Sequence, residues 1–292
     1  MFPLNKNSDK VIDLGIRGKY NSNNKLNDLT GKEWLKFTKS WFIHRPPRRK
    51  DDEILHPAKY PETLVEEFIK FFTKKNAWVL DPFMGTASTL IAAGNINRNS
   101  VGIELNKKYF TTSSRRIKKR QFSKKTIPLN GNSQNLKEIL SKNNLGKRKF
   151  DYVITSPPYW NQLERNSIRQ NDRKVKGLDT QYSKSKTDLG NIKSYEDFIE
   201  GQAKIFDEVY DVTKPGGYLT IITNNVYSEG KLFPLAFDTA TSLTKRGIKS
   251  WILKDEKIWL QDDKKLIALG VNNAWVGNRH HQYCLIFRKE SR

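Results

Sequence analysis

The run "DYVITSPPYW", residues 151 to 160, places Ser156, Pro157, Pro158 and Tyr159 at the end of an apolar segment that reads as a strand. Proline has no N–H and fixes φ, so the turn is stiff and its carbonyls are held in place. Ser156 Oγ can accept one hydrogen bond and the Pro157 carbonyl another. Two rigid acceptors beside an aromatic ring suit a planar group that offers two N–H donors. On these residues alone a plainer reading stays open, with the prolines as a strand stop and Tyr159 and Trp160 as core packing.

Two further strand ends carry polar chemistry. In "VLDPFMGTAST" an apolar run ends at Asp81, a turn holds Gly85 among small residues, and a helical pattern follows. Such a turn lets backbone and a helix N-terminus approach a small ligand closely. It is neither a G-x-G-x-x-G fingerprint nor a P-loop, since no Gly-Lys-Ser/Thr closes it. In "VGIEL" the strand ends at Glu104, about 20 residues beyond the first loop, the distance at which a strand-end carboxylate can accept from ribose hydroxyls. The alternative for that acid is simple solvation.

The elements that must hold these residues follow from periodicity. "ETLVEEFIKFF", "STLIAAGNI", "NKKYFTTSSRRIKKR", "SQNLKEILSK", "SYEDFIEGQAKIFDEVYDVTK" and "LFPLAFDTATSLTKRG" read as helices. "AWVLD", "SVGIEL", "KTIPL", "FDYVIT", "YLTIITN", "IKSWILKDEKIWL" and "QYCLIFR" read as strands, with "PGG" before the fifth as a turn. Strand and helix alternating at this spacing predict an α/β fold, a doubly wound, mostly parallel sheet covered on both faces. Its ligands should sit beyond the carboxyl ends of the strands. Residues 1 to 30 read as an irregular arm. "TGKEWLKFTKSWF" reads as a helix packed on the domain, with Thr30 and Glu33 in capping-box relation. Residues 161 to 192 are polar, basic and nearly without apolar side chains, too long for an ordinary connection. The division expected is an N-terminal arm and aromatic helix over 1 to 55, then one large domain over 56 to 292 carrying that basic insertion.

Composition bounds the partners. Lys and Arg outnumber Asp and Glu by 53 to 31, a formal charge of +22, which favours a polyanion. One cysteine, Cys284, leaves neither a disulfide framework nor a thiolate zinc site within one chain. No apolar stretch reaches the length of a membrane span, and the first residues lack a signal-peptide core. A reducing, cytoplasmic setting is the expectation.

The residues also resemble a known family. "DPFMGTAST" followed by "VGIELNKKYF" is similar to the cofactor region of S-adenosylmethionine-dependent amino-methyltransferases acting on DNA, and "SPPY" to their catalytic tetrapeptide. "HPAKYPETLVEEFIKFF" resembles the cofactor-side segment ahead of the first strand, and "HQYCLIFRK" the last strand, which in such a sheet is antiparallel. The resemblance implies a Rossmann-like methyltransferase sheet and S-adenosylmethionine as cofactor. Asp81, Pro82, Phe83, Gly85 and Thr86 would surround its methionine part, with Glu104 and Leu105 at the ribose. Asn132, in "LNGNS", would meet the adenine amine, where many members have an acid. The usual second glycine of the loop is Ala87 here. His56 would contact the cofactor or cap a helix, and both readings stay open. The cofactor half precedes the catalytic half, unlike the commonest permuted group.

The resemblance further implies double-stranded DNA as partner, leaves room for a cognate restriction endonuclease, and makes a flipped-out base the acceptor. Ser156 and the Pro157 carbonyl would then hold the exocyclic amine, Tyr159 would stack on the ring, and no metal is required. Serine at the first tetrapeptide position resembles cytosine-N4 members more than adenine-N6 members. Carbon-5 methylation would need a reactive thiolate, whereas Cys284 lies in an apolar strand. DNA contacts are expected from residues 44 to 50, 115 to 125 and the insertion. His280 and His281 read as solvated.

Overall fold

The computed structural model describes residues 11–45, 60–160 and 188–290. His56 and residues 161–187 of the basic insertion lie outside them. Twelve strands occur in the described residues, and eight of these form one sheet. In chain order they are β1 (Val11–Asp13), β2 (Lys19–Asn21), β3 (Trp41–Ile43), β4 (Trp78–Asp81), β5 (Asn99–Glu104), β6 (Thr126–Asn130), β7 (Phe150–Thr155), β8 (Thr213–Thr223), β9 (Val226–Ser228), β10 (Lys231–Phe233), β11 (Ile252–Leu260) and β12 (His281–Arg288). The helices are α1 (Gly31–Phe37), α2 (Glu62–Phe72), α3 (Ser88–Asn95), α4 (Lys107–Lys118), α5 (Leu136–Lys142), α6 (Tyr195–Val212) and α7 (Leu235–Thr244).

The main sheet runs β3-β11-β12-β8-β7-β4-β5-β6. Its strands β4 to β8 are parallel, and β12 is antiparallel to β8, as the last strand was expected to be. Period-two alternation divides the core. Leu80, Val101, Val153, Leu219 and Leu285 point to one face, while Val79, Tyr152, Ile154, Ile222, Cys284 and Ile286 point to the other. Helices cover both faces, which is why these strands read as nearly continuous apolar runs. On α2 the spacing of Leu64, Val65, Phe68, Ile69 and Phe72 gives one apolar stripe, all of it buried.

The chain builds β4, β5 and β6 outward in one direction, then returns to place β7 on the other side of β4. The strand order therefore reverses between β4 and β7. At that point two neighbouring strand ends diverge and leave a crevice. Asp81 ends β4 and Ser156 follows β7, so the topology alone brings two of the sequence's candidate ends together.

Three local expectations change. The lead-in is not wholly irregular, since β1 and β2 pair as a hairpin whose turn is closed by Gly15 N–H on Asp13 Oδ1 at 2.8 Å. "PGG" does not end the preceding element, because β8 runs through Pro215, Gly216 and Gly217 with a register irregularity against β7. A Cβ on Gly217 would lie 2.8 Å from Thr213 Cγ2 and 2.9 Å from the Lys214 carbonyl oxygen, so the irregularity needs glycine. Finally, the segment ahead of residue 56 is part of the same body. The edge strand β3 pairs with β11, and α1, closed by the expected Thr30–Glu33 capping box, stacks Phe37 on Phe71 at 4.1 Å.

Lys257 on β11 fastens that segment. Its ammonium is 5% exposed, donates to the carbonyls of Phe37 and Lys39, and sits over the rings of Phe37 and Phe42. A buried cation that satisfies two backbone carbonyls leaves them unpaired when removed. Lys257→Met, similar in length and apolar, should lower unfolding stability by about 1–3 kcal/mol in urea titrations. The amides of residues 41 to 43 should exchange faster with deuterium, while those of β4 and β7 keep their relative protection.

Candidate functional site

A cleft opens at the switch point and holds about 830 Å³, its mouth included. Pro82, Phe83, Gly85, Thr86 and Ser88 line one side, from the β4–α3 loop. Glu104 and Leu105 come from β5, Asn132 and Ser133 from the β6–α5 loop, and Ser156 and Pro158 from the end of β7. Asp188, just beyond the basic insertion, closes it together with Tyr60. Most of the sequence-derived residues therefore meet in one concavity.

Asp81 does not line it. The carboxylate is fully buried behind the loop and accepts four hydrogen bonds. Oδ1 takes Phe83 N–H at 3.0 Å and Thr155 Oγ1 at 2.6 Å, and Oδ2 takes Tyr60 OH at 2.8 Å and Thr89 Oγ1 at 2.5 Å. Burial pushes its pKa up, and the four donors oppose that shift. The expectation of contact with a cofactor's methionine part is corrected here. Asp81 shares the face of Val79, two residues back, and that face lies under Tyr60 and α3.

Glu104 is the carboxylate that faces the cleft. Oε2 accepts Gly85 N–H at 2.8 Å and Oε1 accepts Asn106 N–H at 2.7 Å, which fixes its rotamer and ties the β5 end to the β4–α3 loop. Burial pushes its carboxyl up to about 7, against the two backbone donors, and the nearby Asp188 adds repulsion. Gly102 below it lets α3 approach, since a Cβ there would lie 2.6 Å from Leu90 Cδ1 and 2.7 Å from Met84 Sδ. Ala87, in place of the glycine, holds φ at +70° at the N-cap of α3. For a residue with a Cβ that conformation costs about 1 kcal/mol.

Two polar groups here escaped the sequence reading. Ser88 Oγ is buried, lies in the cleft wall and has no hydrogen-bond partner among the described residues. An orphaned hydroxyl at the start of a helix suits a polar ligand group. Asp188, 5% exposed, caps a short 3-10 turn by accepting Gly190 N–H at 2.9 Å. The small residues of "GTAST" were a signal for Ser88. Asp188 stood at the end of a polar stretch with no periodicity to mark it. Asn132, expected at the adenine amine, lies in the wall with Oδ1 accepting Gln134 N–H at 3.0 Å, and that oxygen keeps a second lone pair.

Ser156 and Pro158 face the cleft, while Pro157 and Tyr159 are buried behind them and are not part of its wall. Ser156 Oγ donates to Tyr159 OH at 3.1 Å, and Tyr159 OH donates to Gln282 Oε1 at 2.9 Å. Trp160 packs against Tyr195 and Phe233 and donates to the Lys193 carbonyl, so it is core. Thr155, just before the tetrapeptide, is the residue that bonds Asp81, so the turn and the loop share one anchor.

Cys284 is fully buried and its thiol is pushed up to about 12 by burial, an inert core position. Of the basic stretches, residues 119–125 join the end of α4 to the start of β6, at the sheet edge opposite the cleft. Arg116 is held inside by Glu62 and the Thr86 carbonyl. That stretch is therefore corrected as a source of contacts to anything entering the cleft. Residues 44 and 45 do leave β3 on the cleft side, and Arg45 pairs with Asp262 at 2.8 Å. His281 opens β12 half-buried, and its carbonyl accepts Asn224 Nδ2, so it is less solvated than expected.

Comparison with known proteins gives a consistent result. The model of the DNA methylase family that groups N6 and N4 enzymes matches residues 4–115 and 150–292. The type II methyltransferase M.BglI of Bacillus subtilis is 37% identical over 91 residues, 31% of this chain and 26% of that protein. M.MthZI of Methanothermobacter thermautotrophicus is 48% identical over 48 residues, 16% and 14% of the two chains. The aligned stretches thus span about a quarter or less of those relatives. Among solved structures, TrmN from Thermus thermophilus aligns with a TM-score of 0.48 at 10% identity, over 78% of this chain and 48% of that one.

The network around Asp81 predicts a large effect of removing it. Asp81→Ala would leave Phe83 N–H and three hydroxyls without their shared acceptor, in a site too buried for bulk water. The expected loss is about 3–5 kcal/mol of unfolding free energy, measured by denaturant titration, far above the cost of an exposed acid. A loss under about 1 kcal/mol would show that the carboxylate does not hold the loop.

Proposed function

The chain belongs to the N6/N4 DNA methylase family, and from that premise we propose that it transfers a methyl group from S-adenosylmethionine to the exocyclic N4 of cytosine in double-stranded DNA. The observation that carries this reading is that Glu104, the β4–α3 loop and Ser156 face one cleft at the switch point.

The residues present fit the cofactor. Glu104 offers a lone pair on each oxygen beyond the backbone bonds it already accepts, suited to vicinal ribose hydroxyls. The orphaned Ser88 hydroxyl, with Phe83, Gly85 and Thr86, would hold the methionine end, and Leu105 and Asn132 the adenine. When bound, the cofactor supplies an electrophilic methyl group on sulfur.

The chain's own part is to prepare the nucleophile. An exocyclic base amine is a poor nucleophile because its lone pair is delocalised into the ring. Ser156 Oγ accepts one N–H and the Pro157 carbonyl the other, which favours a tetrahedral nitrogen with a localised lone pair. The prolines make these acceptors rigid before the base arrives, so little reorganisation accompanies reaction. The base reaches them by leaving the duplex, and the Tyr159 ring stacks on it. A formal charge of +22 supplies attraction to the phosphates. Serine at position 156 supports cytosine over adenine, and adenine N6 is the alternative that the same geometry serves.

Digesting treated DNA and RNA to nucleosides and locating the labelled methyl tests this directly. Label on N4 of deoxycytidine is expected, label on N6 of deoxyadenosine would correct the base, and label in RNA alone would overturn the DNA reading. Ser156→Ala should lower kcat by about tenfold or more, the value of one lost hydrogen bond of about 1.4 kcal/mol in the transition state.

Glu104 makes cofactor binding depend on pH. Ribose hydroxyls donate to the carboxylate, so binding favours the ionised form, and the free carboxyl stands near 7. Affinity should therefore rise with pH, by about tenfold from pH 6 to pH 8, when the bound form ionises well below 6. Calorimetry with S-adenosylhomocysteine measures this, and Glu104→Gln should bind weakly with a flat profile.

A further inference from the structure

Gln282 lies on β12, 123 residues from the tetrapeptide, and neither the catalytic turn nor the cofactor loop includes it. Yet its Oε1 is 2.9 Å from the Tyr159 hydroxyl, closer than Ser156 Oγ at 3.1 Å or the Ile222 carbonyl oxygen at 3.4 Å. The phenol carries a single proton. A carbonyl oxygen can only accept, so a phenol proton directed at Gln282 leaves the phenol oxygen free to accept from Ser156. The serine proton is then committed to Tyr159, and only lone pairs of Ser156 Oγ remain for another partner.

The alternative polarity has a different outcome. If Tyr159 donated to Ser156, the serine proton would be free to turn toward the cleft, where it would meet the N–H of an incoming amine. Two donors facing each other repel. The same three side chains would then oppose the contact that the reaction needs.

We propose that Gln282 is a positioning residue for methyl transfer, whose Oε1 sets the direction of the Ser156–Tyr159 hydrogen-bond chain so that Ser156 presents a lone pair to the target amine. The proposal rests on the function proposed above. The strand itself is well fixed at this point. Gln282 pairs with Trp259 of β11, the His281 carbonyl accepts Asn224 Nδ2 at 2.9 Å, and Tyr283 pairs with Thr223 of β8. The amide is therefore held where Tyr159 can reach it, and the β8–β12 pairing becomes part of the catalytic apparatus.

Steady-state methyl transfer to DNA by Gln282→Leu, Gln282→Glu, Tyr159→Phe and Tyr159→Phe/Gln282→Leu tests this, with S-adenosylhomocysteine affinity as a measure of site integrity. Gln282→Leu should lose about tenfold in kcat, the value of one oriented hydrogen bond, with cofactor KM and S-adenosylhomocysteine affinity unchanged. Gln282→Glu, which keeps an acceptor oxygen, should stay within about threefold of the parent. In the Tyr159→Phe background Gln282→Leu should cost nothing further, because the hydroxyl it acts through is gone. A Gln282→Leu kcat within twofold of the parent, or additive losses in the double variant, would overturn the proposal. A parent that binds the cofactor yet labels no nucleic acid would defeat the proposed function first, and this inference with it.

Discussion

The buried carboxylate of Asp81 is the interaction on which the rest of the site depends. It gathers donors from four separate pieces of chain: Tyr60 ahead of α2, Phe83 in the loop after β4, Thr89 on α3 and Thr155 at the end of β7. No other group among these could do the same work, since a carboxylate offers about four lone-pair sites and a hydroxyl or amide offers fewer. Burying an ionisable acid is unfavourable unless its oxygens are satisfied, and here each takes two bonds. The unfavourable burial and the favourable bonds are confined to one point, and that point joins the loop side of the cleft to the turn that carries Ser156.

Glu104 shows the opposite balance. Its backbone donors orient it but do not offset its burial, so its carboxyl stands near 7 in the ligand-free protein. A folded-state value raised above 4.5 means that the fold loses stability as pH rises toward 7, with the penalty fully present above it. Unlike Asp81, Glu104 keeps lone pairs directed into an open cleft. A group held in an unfavourable state that a ligand would relieve is a common property of binding sites. One acid therefore maintains the architecture and the other is reserved for a ligand, although both end adjacent parallel strands.

That distinction marks the limit of what the chain reveals before folding. Helix α2 was legible to the residue, because six of its eleven positions are buried with a helical period. The parallel core and its switch point followed from alternation of strand and helix. Glu104, Ser156 and the β4–α3 loop were legible because strand ends bear ligands in such sheets. Asp81 was misread, although period two from Val79 places it beneath the helices. Strand β3, at three residues, was too short to show a period, and its place in the sheet depends on Lys257, far along the chain. Asp188 and Gln282 had no local signal at all, since what they touch is set by folding alone.

The bond from Thr155 to Asp81 spans 74 residues, and it explains why the order of the two halves matters little for the chemistry. Cofactor loop and catalytic turn are neighbours because β4 and β7 are neighbours, not because one follows the other in sequence. Any connection that keeps these two strands parallel and adjacent would reproduce the crevice, with both carboxyl ends on the same edge. The arrangement here, cofactor half first, leaves residues 161–192 to emerge directly after Trp160, at the edge where the cleft opens. The stiffness of Pro157 and Pro158 then has a structural meaning beyond aiming acceptors. It separates a strand anchored on Asp81 from a long polar segment, so that movement of that segment is not transmitted to Ser156.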